Sequence, residues 1–328
     1  MEETVATQIR MHETGGPEVM KVETVDVGAP GPGQVLLRQS HCGVNFIDTY
    51  HRTGLYPVDL PSGIGLEGLG VVEARGDGVT EFEEGDRVFY ATGPIGGYAD
   101  ERLIPAEKLV RVPENLADDQ IGGHMLRALT AQYLLRRLYK VQPGEQVLFH
   151  AGAGGLGQIA IQWLKHIGAE VITTVGSDEK AEVAKKLGAD HVINYSTEDF
   201  VARVKEITNG VGVPVVYDGV GKTTWEGSLD CLKGRGMMVS FGNASGSVES
   251  FSPAILSAKG SLFLTRPTLM GYCGTRPELI ESATEVFEVI GTGAVTIEKA
   301  TVYPLTDAVQ AHKDLEARKI VGSTVLMP

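Results

Sequence analysis

The stretch that decides the fold is Val147-Leu148-Phe149-His150-Ala151-Gly152-Ala153-Gly154-Gly155-Leu156-Gly157-Gln158-Ile159-Ala160. A short apolar run, Val147–His150, leads into glycines at 152, 154 and 157, and a helical pattern then occupies Gln158–Ile167. A glycine-rich turn alone can be plain punctuation with no ligand, and here the neighbouring segments decide. Downstream, apolar runs at Val171–Val175, His191–Ile193, Val215–Tyr217, Met237–Phe241 and Leu262–Leu264 alternate with helical patterns at Glu179–Leu187, Phe200–Thr208 and Trp225–Leu232. Upstream, Leu126–Leu138 has helical spacing, and Pro143-Gly144 turns the chain toward Val147. Strands alternating with helices of this length predict an α/β unit built on a doubly wound parallel sheet.

Within the turn the glycines have separate jobs. Gly152 permits the tight bend, Gly154 lets a pyrophosphate approach the backbone, and Gly157 lets the helix pack closely on the sheet. Gly155 and Leu156 fall at the helix start, where orphan amides would hold phosphates. The motif therefore predicts a bound dinucleotide. An NADH site commonly places an acid about 20 residues further on, for the ribose hydroxyls. This chain reads Val175-Gly176-Ser177-Asp178-Glu179-Lys180 there. Small residues leave room, and Lys180 can neutralise a 2′-phosphate, which favours NADPH. Asp178 and Glu179 either point outward, cap the helix start, or favour NADH instead. Lys180 could also be an ordinary solvated helix residue.

The first third is different material. Runs at Val35–Leu37, Gly70–Glu73 and Arg87–Tyr90 are separated by turns such as Ala29–Gly33 and Gly93–Gly97, which predicts a partly open, mostly antiparallel barrel or sandwich. After about Pro267 come a helix at Glu278–Ile290, a segment Ala308–Leu315 and the apolar run Ser323–Leu326. A lone terminal strand needs a sheet, and periodicity does not say which. A formal charge of −13 without a long basic block argues against a nucleic-acid surface. No run of 18 apolar residues and no long apolar leader is present, so neither membrane spanning nor secretion is expected. Cys42, Cys231 and Cys273 are far apart and suit a reducing compartment. His41-Cys42 is only a fragment of a catalytic zinc set, and Gly65-Leu66-Glu67 adds a carboxylate but no histidine. Cys42 therefore reads as a small buried residue, and no metal is expected.

Assembled, these segments resemble the zinc-free quinone oxidoreductases, the zeta-crystallin-like group of the medium-chain dehydrogenase/reductase superfamily. The resemblance runs through Gly15–Met20, Asn45–Pro57, Gly85–Val88, His150–Trp163, Val192–Tyr195, Val215–Gly221, Ser228–Asn243, Thr265–Pro267 and the ending Leu315–Pro328. It implies a GroES-like, mostly β catalytic domain (1–126), an inserted Rossmann domain (127–267) and a C-terminal return to the catalytic domain (268–328). It also implies NADPH-dependent quinone reduction in a cytoplasmic homodimer paired through Rossmann edge strands near Leu262–Leu264. Zinc-dependent relatives have a cysteine where this chain has Asn45 and a histidine where it has Leu66.

The resemblance further assigns the adenosine-phosphate end to Ser177, Lys180 and Tyr195, and cofactor contacts to Thr130, Asn243 and Arg318. Each has a plainer alternative: Tyr195 a core cap, Asn243 a turn residue beside Gly242, Arg318 a surface helix residue. Relatives often carry FLKGLTA where this chain has Met125–Ala131, which leaves the role of Arg127 open. On the acceptor side the candidates are Asn45 as an amide donor, Tyr50 and Tyr56 as flat surfaces with hydroxyls, and Asp48 as an orienting group. The plain alternative is a chemically silent loop packed against the barrel. No Ser-His-Asp order or Cys-His pair supports hydrolysis. Two other readings stand beside quinone reduction: reduction of an enone or alkenal double bond, and an NADPH-binding structural or regulatory protein.

Overall fold

The computed structural model describes Val5–Pro328. The chain divides into two compact units. Unit 1 comprises residues up to Leu129 with Cys273–Gly291 and Ile297–Pro328, and unit 2 comprises Thr130–Tyr272 with Thr292–Thr296.

Unit 1 holds strands β1 (Val5–Met11), β2 (Met20–Asp26), β3 (Gln34–Val44), β4 (Ser62–Gly63), β5 (Glu67–Arg75), β6 (Arg87–Tyr90), β7 (Glu101–Pro105), β8 (Val110–Arg111), β15 (Thr301–Pro304) and β16 (Thr324–Met327). A small sheet has the order β2-β1-β4. A larger one runs β15-β16-β3-β5-β6-β8, with β7 also on β3. The organising strand is β3. It pairs with β5 along Val35–Gly43, while β7 takes Gln34–Arg38 and β16 takes Cys42–Val44. Register shifts at Leu36/Leu37 and Gln39/His41 mark irregularities of the kind that bend a strand. One core packs Val35, Leu37, Val72, Phe82, Val88 and Ile104. A second packs Met11, Val44, Ile64 and Tyr98 against Leu315 and Leu326. The terminal strand thus has its sheet: Thr324 lies opposite Val44, antiparallel.

Unit 2 carries β9 (Gln146–Phe149), β10 (Glu170–Val175), β11 (His191–Asn194), β12 (Val213–Asp218), β13 (Leu232–Ser240) and β14 (Phe263–Thr265). All pairs are parallel, in the order β11-β10-β9-β12-β13-β14. This is the doubly wound nucleotide-binding order, in which ligands sit beyond the carboxyl ends of the strands at the point where the order reverses. Near-continuous burial of Val147–Phe149, Val171–Val175 and Val215–Asp218 reflects helices covering both faces.

Three local features differ from the sequence reading. The hairpin β1–β2 was not anticipated, because its pattern of charged and β-branched residues leaves most of β2 exposed. The helical stretch predicted at Leu126–Leu138 is an α-helix only over Met125–Gln132 and is π-helical over Tyr133–Leu138. The Asn45–Tyr56 segment is not simply a loop: Phe46–Thr53 forms a helix, closed at Gly54 in the left-handed conformation (φ 80°).

Candidate functional site

In unit 1 the site is built at the start of the helix Phe46–Thr53. Asn45 is its N-cap and Asp48 its third residue, a capping-box spacing. The Asn45 N–H donates to Asp48 Oδ2 (2.8 Å). The Asn45 side-chain amide donates one of its two N–H groups to Glu67 Oε2 (2.8 Å), and its Oδ1 is buried without a partner. Asp48 Oδ1 is likewise buried and unpartnered, while Oδ2 also accepts from the Tyr98 hydroxyl (2.8 Å). Burial pushes the Asp48 carboxyl up to about 7, with Asn45 and Tyr98 hydrogen bonds and Arg127 opposing and Glu67 assisting. Tyr50 and Tyr56 are half-buried and pack edge to face, with ring centroids 5.3 Å apart and Tyr56 N–H on the Tyr50 carbonyl (3.0 Å). One short segment therefore brings all four sequence-predicted acceptor-side residues into unit 1.

Glu67 is 1% exposed and spends its carboxylate on structure. Oε1 accepts the N–H groups of Met125 (2.5 Å) and Leu126 (3.1 Å) at the start of the helix Met125–Gln132, where backbone amides have no helical partner. Arg127 donates to the carbonyls of Val44 (2.6 Å) and Gly123 (2.6 Å), which fixes the backbone immediately before Asn45. A zinc ion would need free donors here. Asn45 and Glu67 bind each other, Leu66 is apolar and buried, and burial raises the Cys42 thiol to about 12 while Sγ donates to the Ala99 carbonyl (3.3 Å). These residues do not form a zinc set. Among the described residues no group of three His, Cys, Asp or Glu side chains is placed to hold a metal ion.

In unit 2 the glycine turn follows β9. A Cβ on Gly157 would meet the Ala151 carbonyl oxygen at 2.4 Å and Gly152 Cα at 2.7 Å, so only glycine lets the helix Gly155–Ile167 approach the turn. A Cβ on Gly152 would stand 2.2 Å from Thr173 Oγ1, and the left-handed residue is its neighbour Ala151 (φ 59°). Gly154 is exposed, with only the Ala151 oxygen within 4 Å of a built Cβ. That open backbone, set before the amides of Gly155 and Leu156 and without a side-chain cap, fits a pyrophosphate.

Behind the turn lies a network that the sequence did not disclose. His150 sits 2.8 Å from Thr174 Oγ1 and 3.0 Å from Ser228 Oγ, and Ser228 donates to Asp218 (2.7 Å). Asp218 also accepts the N–H groups of Val220 and Gly221. His150, Thr174, Ser228 and Asp218 are all buried, which gives His150 a structural job.

At the end of β10, Ser177 caps the helix Asp178–Lys186 by accepting from Lys180 N–H (3.3 Å). Asp178 is held by the Asn194 amide (2.8 Å), which resolves one of its alternatives: the carboxylate is engaged with β11. Tyr195 is 46% exposed and its hydroxyl lies over Gly176, where a Cβ would stand 2.4 Å away. Ser177, Lys180 and Tyr195 thus share the rim beside β10. Asn243, with its amide oriented to satisfy both neighbours, donates to the Gly242 carbonyl (3.0 Å) and accepts from Arg266 (3.0 Å). Thr130 opens unit 2 and is half-buried. Arg318 belongs to unit 1, exposed and left-handed (φ 57°), just beyond the helix Ala308–Glu316.

A family model described as an alcohol dehydrogenase GroES-like domain matches residues 31–114, and one described as a zinc-binding dehydrogenase matches residues 155–289. A quinone oxidoreductase of Pseudomonas aeruginosa is 50% identical over 325 residues, covering 99% of this chain and 100% of the relative. A 2-haloacrylate reductase of a Burkholderia species is 48% identical over 325 residues, covering 97% and 98%. Among solved structures, Escherichia coli quinone oxidoreductase complexed with NADPH matches with a TM-score of 0.96 at 48% identity, covering 98% of this chain and 100% of that one. With its GroES-like strands in unit 1, its parallel sheet in unit 2 and half its residues shared end to end with such relatives, the chain belongs to the quinone oxidoreductases of the medium-chain dehydrogenase/reductase superfamily.

Proposed function

We propose that this chain reduces quinones with NADPH as donor and uses neither a metal nor a flavin. The observation that carries the reading is identity near one half, over the whole length of both chains, to quinone oxidoreductases. The unit 2 turn supports it by fitting a dinucleotide: Gly154 admits the pyrophosphate, with the amides of Gly155 and Leu156 as donors. Ser177, Lys180 and Tyr195 would hold the 2′-phosphate end. Thr130, Asn243 and Arg318 are further proposed cofactor contacts. When bound, the reduced nicotinamide supplies a hydride to an electron-poor acceptor.

On the unit 1 side, Asn45 Oδ1 is an acceptor fixed by Glu67, Asp48 holds the helix start in place, and Tyr50 and Tyr56 offer an apolar, hydroxyl-tipped surface for a flat ring. The chain works in the cytoplasm as a homodimer, paired through the open edge of β14. No helix of the described residues is long and apolar enough to cross a membrane.

A second reading, reduction of the carbon–carbon double bond of a conjugated carbonyl, draws support from the 48% identity to a 2-haloacrylate reductase. Anaerobic NADPH consumption with a simple quinone and with an enone in parallel, with products identified, separates the two. Quinol or semiquinone as the preferred product supports the proposal. Saturated carbonyl as the sole product overturns it in favour of the second reading.

A further inference from the structure

Asp48 is held by a line of buried side chains that the reaction as described above does not use. Tyr98 Oη donates to Asp48 Oδ2 (2.8 Å) and lies 3.0 Å from His312 Nε2. Arg52 Nη1 lies 3.0 Å from His312 Nδ1. Arg52 also donates to both carboxylate oxygens of Glu316 (3.0 and 2.7 Å) and to the Gly15 carbonyl (3.1 Å). Asp48, Tyr98 and His312 are wholly buried and Arg52 is 1% exposed, whereas Glu316 is at the surface.

Hydrogen-bond chemistry gives this line a direction. Arginine only donates, so His312 Nδ1 accepts and carries no hydrogen. Burial and the Arg52 charge hold the imidazole down to about 3, so it is neutral and its one N–H sits on Nε2, facing the Tyr98 oxygen. Tyr98 therefore keeps its own hydrogen for Asp48 Oδ2. That oxygen also accepts the Asn45 N–H. With Oδ2 committed twice as an acceptor, a proton taken up by Asp48 must go to Oδ1, the atom left buried without a partner.

We infer that Arg52, His312 and Tyr98 are positioning residues whose one-way hydrogen-bond chain fixes which oxygen of Asp48 carries a proton and, through Asp48, sets the pH range in which the acceptor side works. The link to turnover rests on the proposed quinone reduction; the chain itself does not.

The charged groups facing Asp48 are Glu67 from β5, which disfavours its ionisation, and Arg127 from the helix Met125–Gln132, which favours it. Tyr98 and, behind it, His312 face it from the remaining side. An ionised Asp48 in this low-dielectric setting opposes the negative charge that grows on the acceptor oxygen, and a neutral Asp48 does not. Activity therefore falls as pH rises through the titration of Asp48. Each donor removed from the line makes the carboxylate harder to form and moves that fall to higher pH.

Two readouts on the full-length protein test this. One is the pH dependence of kcat/KM for a quinone at saturating NADPH. The other is an infrared pH titration of the protonated carboxyl stretch, with Asp48→Asn as the blank. In Tyr98→Phe both midpoints should rise together by about one to two pH units, the worth of one hydrogen bond to a charged group. His312→Leu should move them the same way, and His312→Gln, whose side-chain amide can still donate to Tyr98, should bring them back toward wild type. A Tyr98→Phe protein that binds NADPH normally yet keeps the wild-type infrared midpoint overturns the chain. An infrared midpoint that moves while the activity limb stays put overturns its link to turnover. If the wild-type protein reduces no quinone, the functional reading fails, and the infrared midpoints alone decide the chain.

Discussion

Asn45 and Asp48 show how much one residue's neighbours change its chemistry. From sequence, Asn45 is an amide with donors to offer; in the structure Glu67 takes one of its two N–H groups, and its carbonyl is buried without a partner. Asp48, with a folded value near 7 against about 3.9 in an unfolded chain, binds more protons folded than unfolded between those limits. The sign follows: its contribution to stability is most favourable below about pH 4, declines as pH rises toward 7, and is flat above. The difference in unfolding free energy between Asp48→Asn and wild type should therefore change across pH 4 to 7 in favour of the variant, as read by chemical denaturation at several pH values. A pH-independent difference would show that Asp48 does not titrate upshifted. Gly157→Ala is a different kind of change. Its methyl would press on backbone at 2.4 Å, with no flexible side chain to yield, so the turn must open. NADPH affinity, measured by fluorescence titration, should drop at least tenfold. Unchanged affinity would mean that the turn does not hold the phosphates.

At the level of elements, the helix Phe46–Thr53 is the part of the site most dependent on local signals. Its start is the Asn45/Asp48 box and its end is Gly54 at φ 80°, with a built Cβ 3.2 Å from Thr14. Gly54→Ala should cost about 1 kcal/mol in unfolding experiments and raise KM for quinone more than it lowers kcat, because it loosens the element carrying Tyr50. An equal effect on NADPH affinity would point to general damage instead. From sequence, Asn45–Tyr56 reads as a loop and the helix Phe46–Thr53 is missed, because eight residues are too short a run for periodicity to separate a helix from a loop. The βα alternation of unit 2 was legible almost strand for strand, since fully buried parallel strands are continuous apolar runs. Tyr98, His312, Arg52 and Glu67 were not legible as site residues. Their partners lie between 22 and 264 positions away, and no spacing rule connects residues that meet only through tertiary packing.

On the scale of the whole molecule, the six-stranded sheet ends at β14, whose Phe263 is 58% exposed. An apolar residue on an unpaired edge invites a second copy. Phe263→Glu should convert the proposed dimer to a monomer in analytical ultracentrifugation, with NADPH affinity per chain retained; a wild-type protein that sediments as a monomer removes this assembly from consideration. The strand that closes the unit 1 sheet beside Cys42–Val44 is Thr324–Met327, nearly three hundred residues later. A ribosome making this chain delivers the first unit's opening strands long before their last neighbour exists. Unit 2, whose segments apart from Thr292–Thr296 are contiguous, can settle while unit 1 waits, its β3 edge uncovered, until Thr324–Met327 has been made. Nascent chains stalled short of Thr324 are thus the species in greatest need of a chaperone.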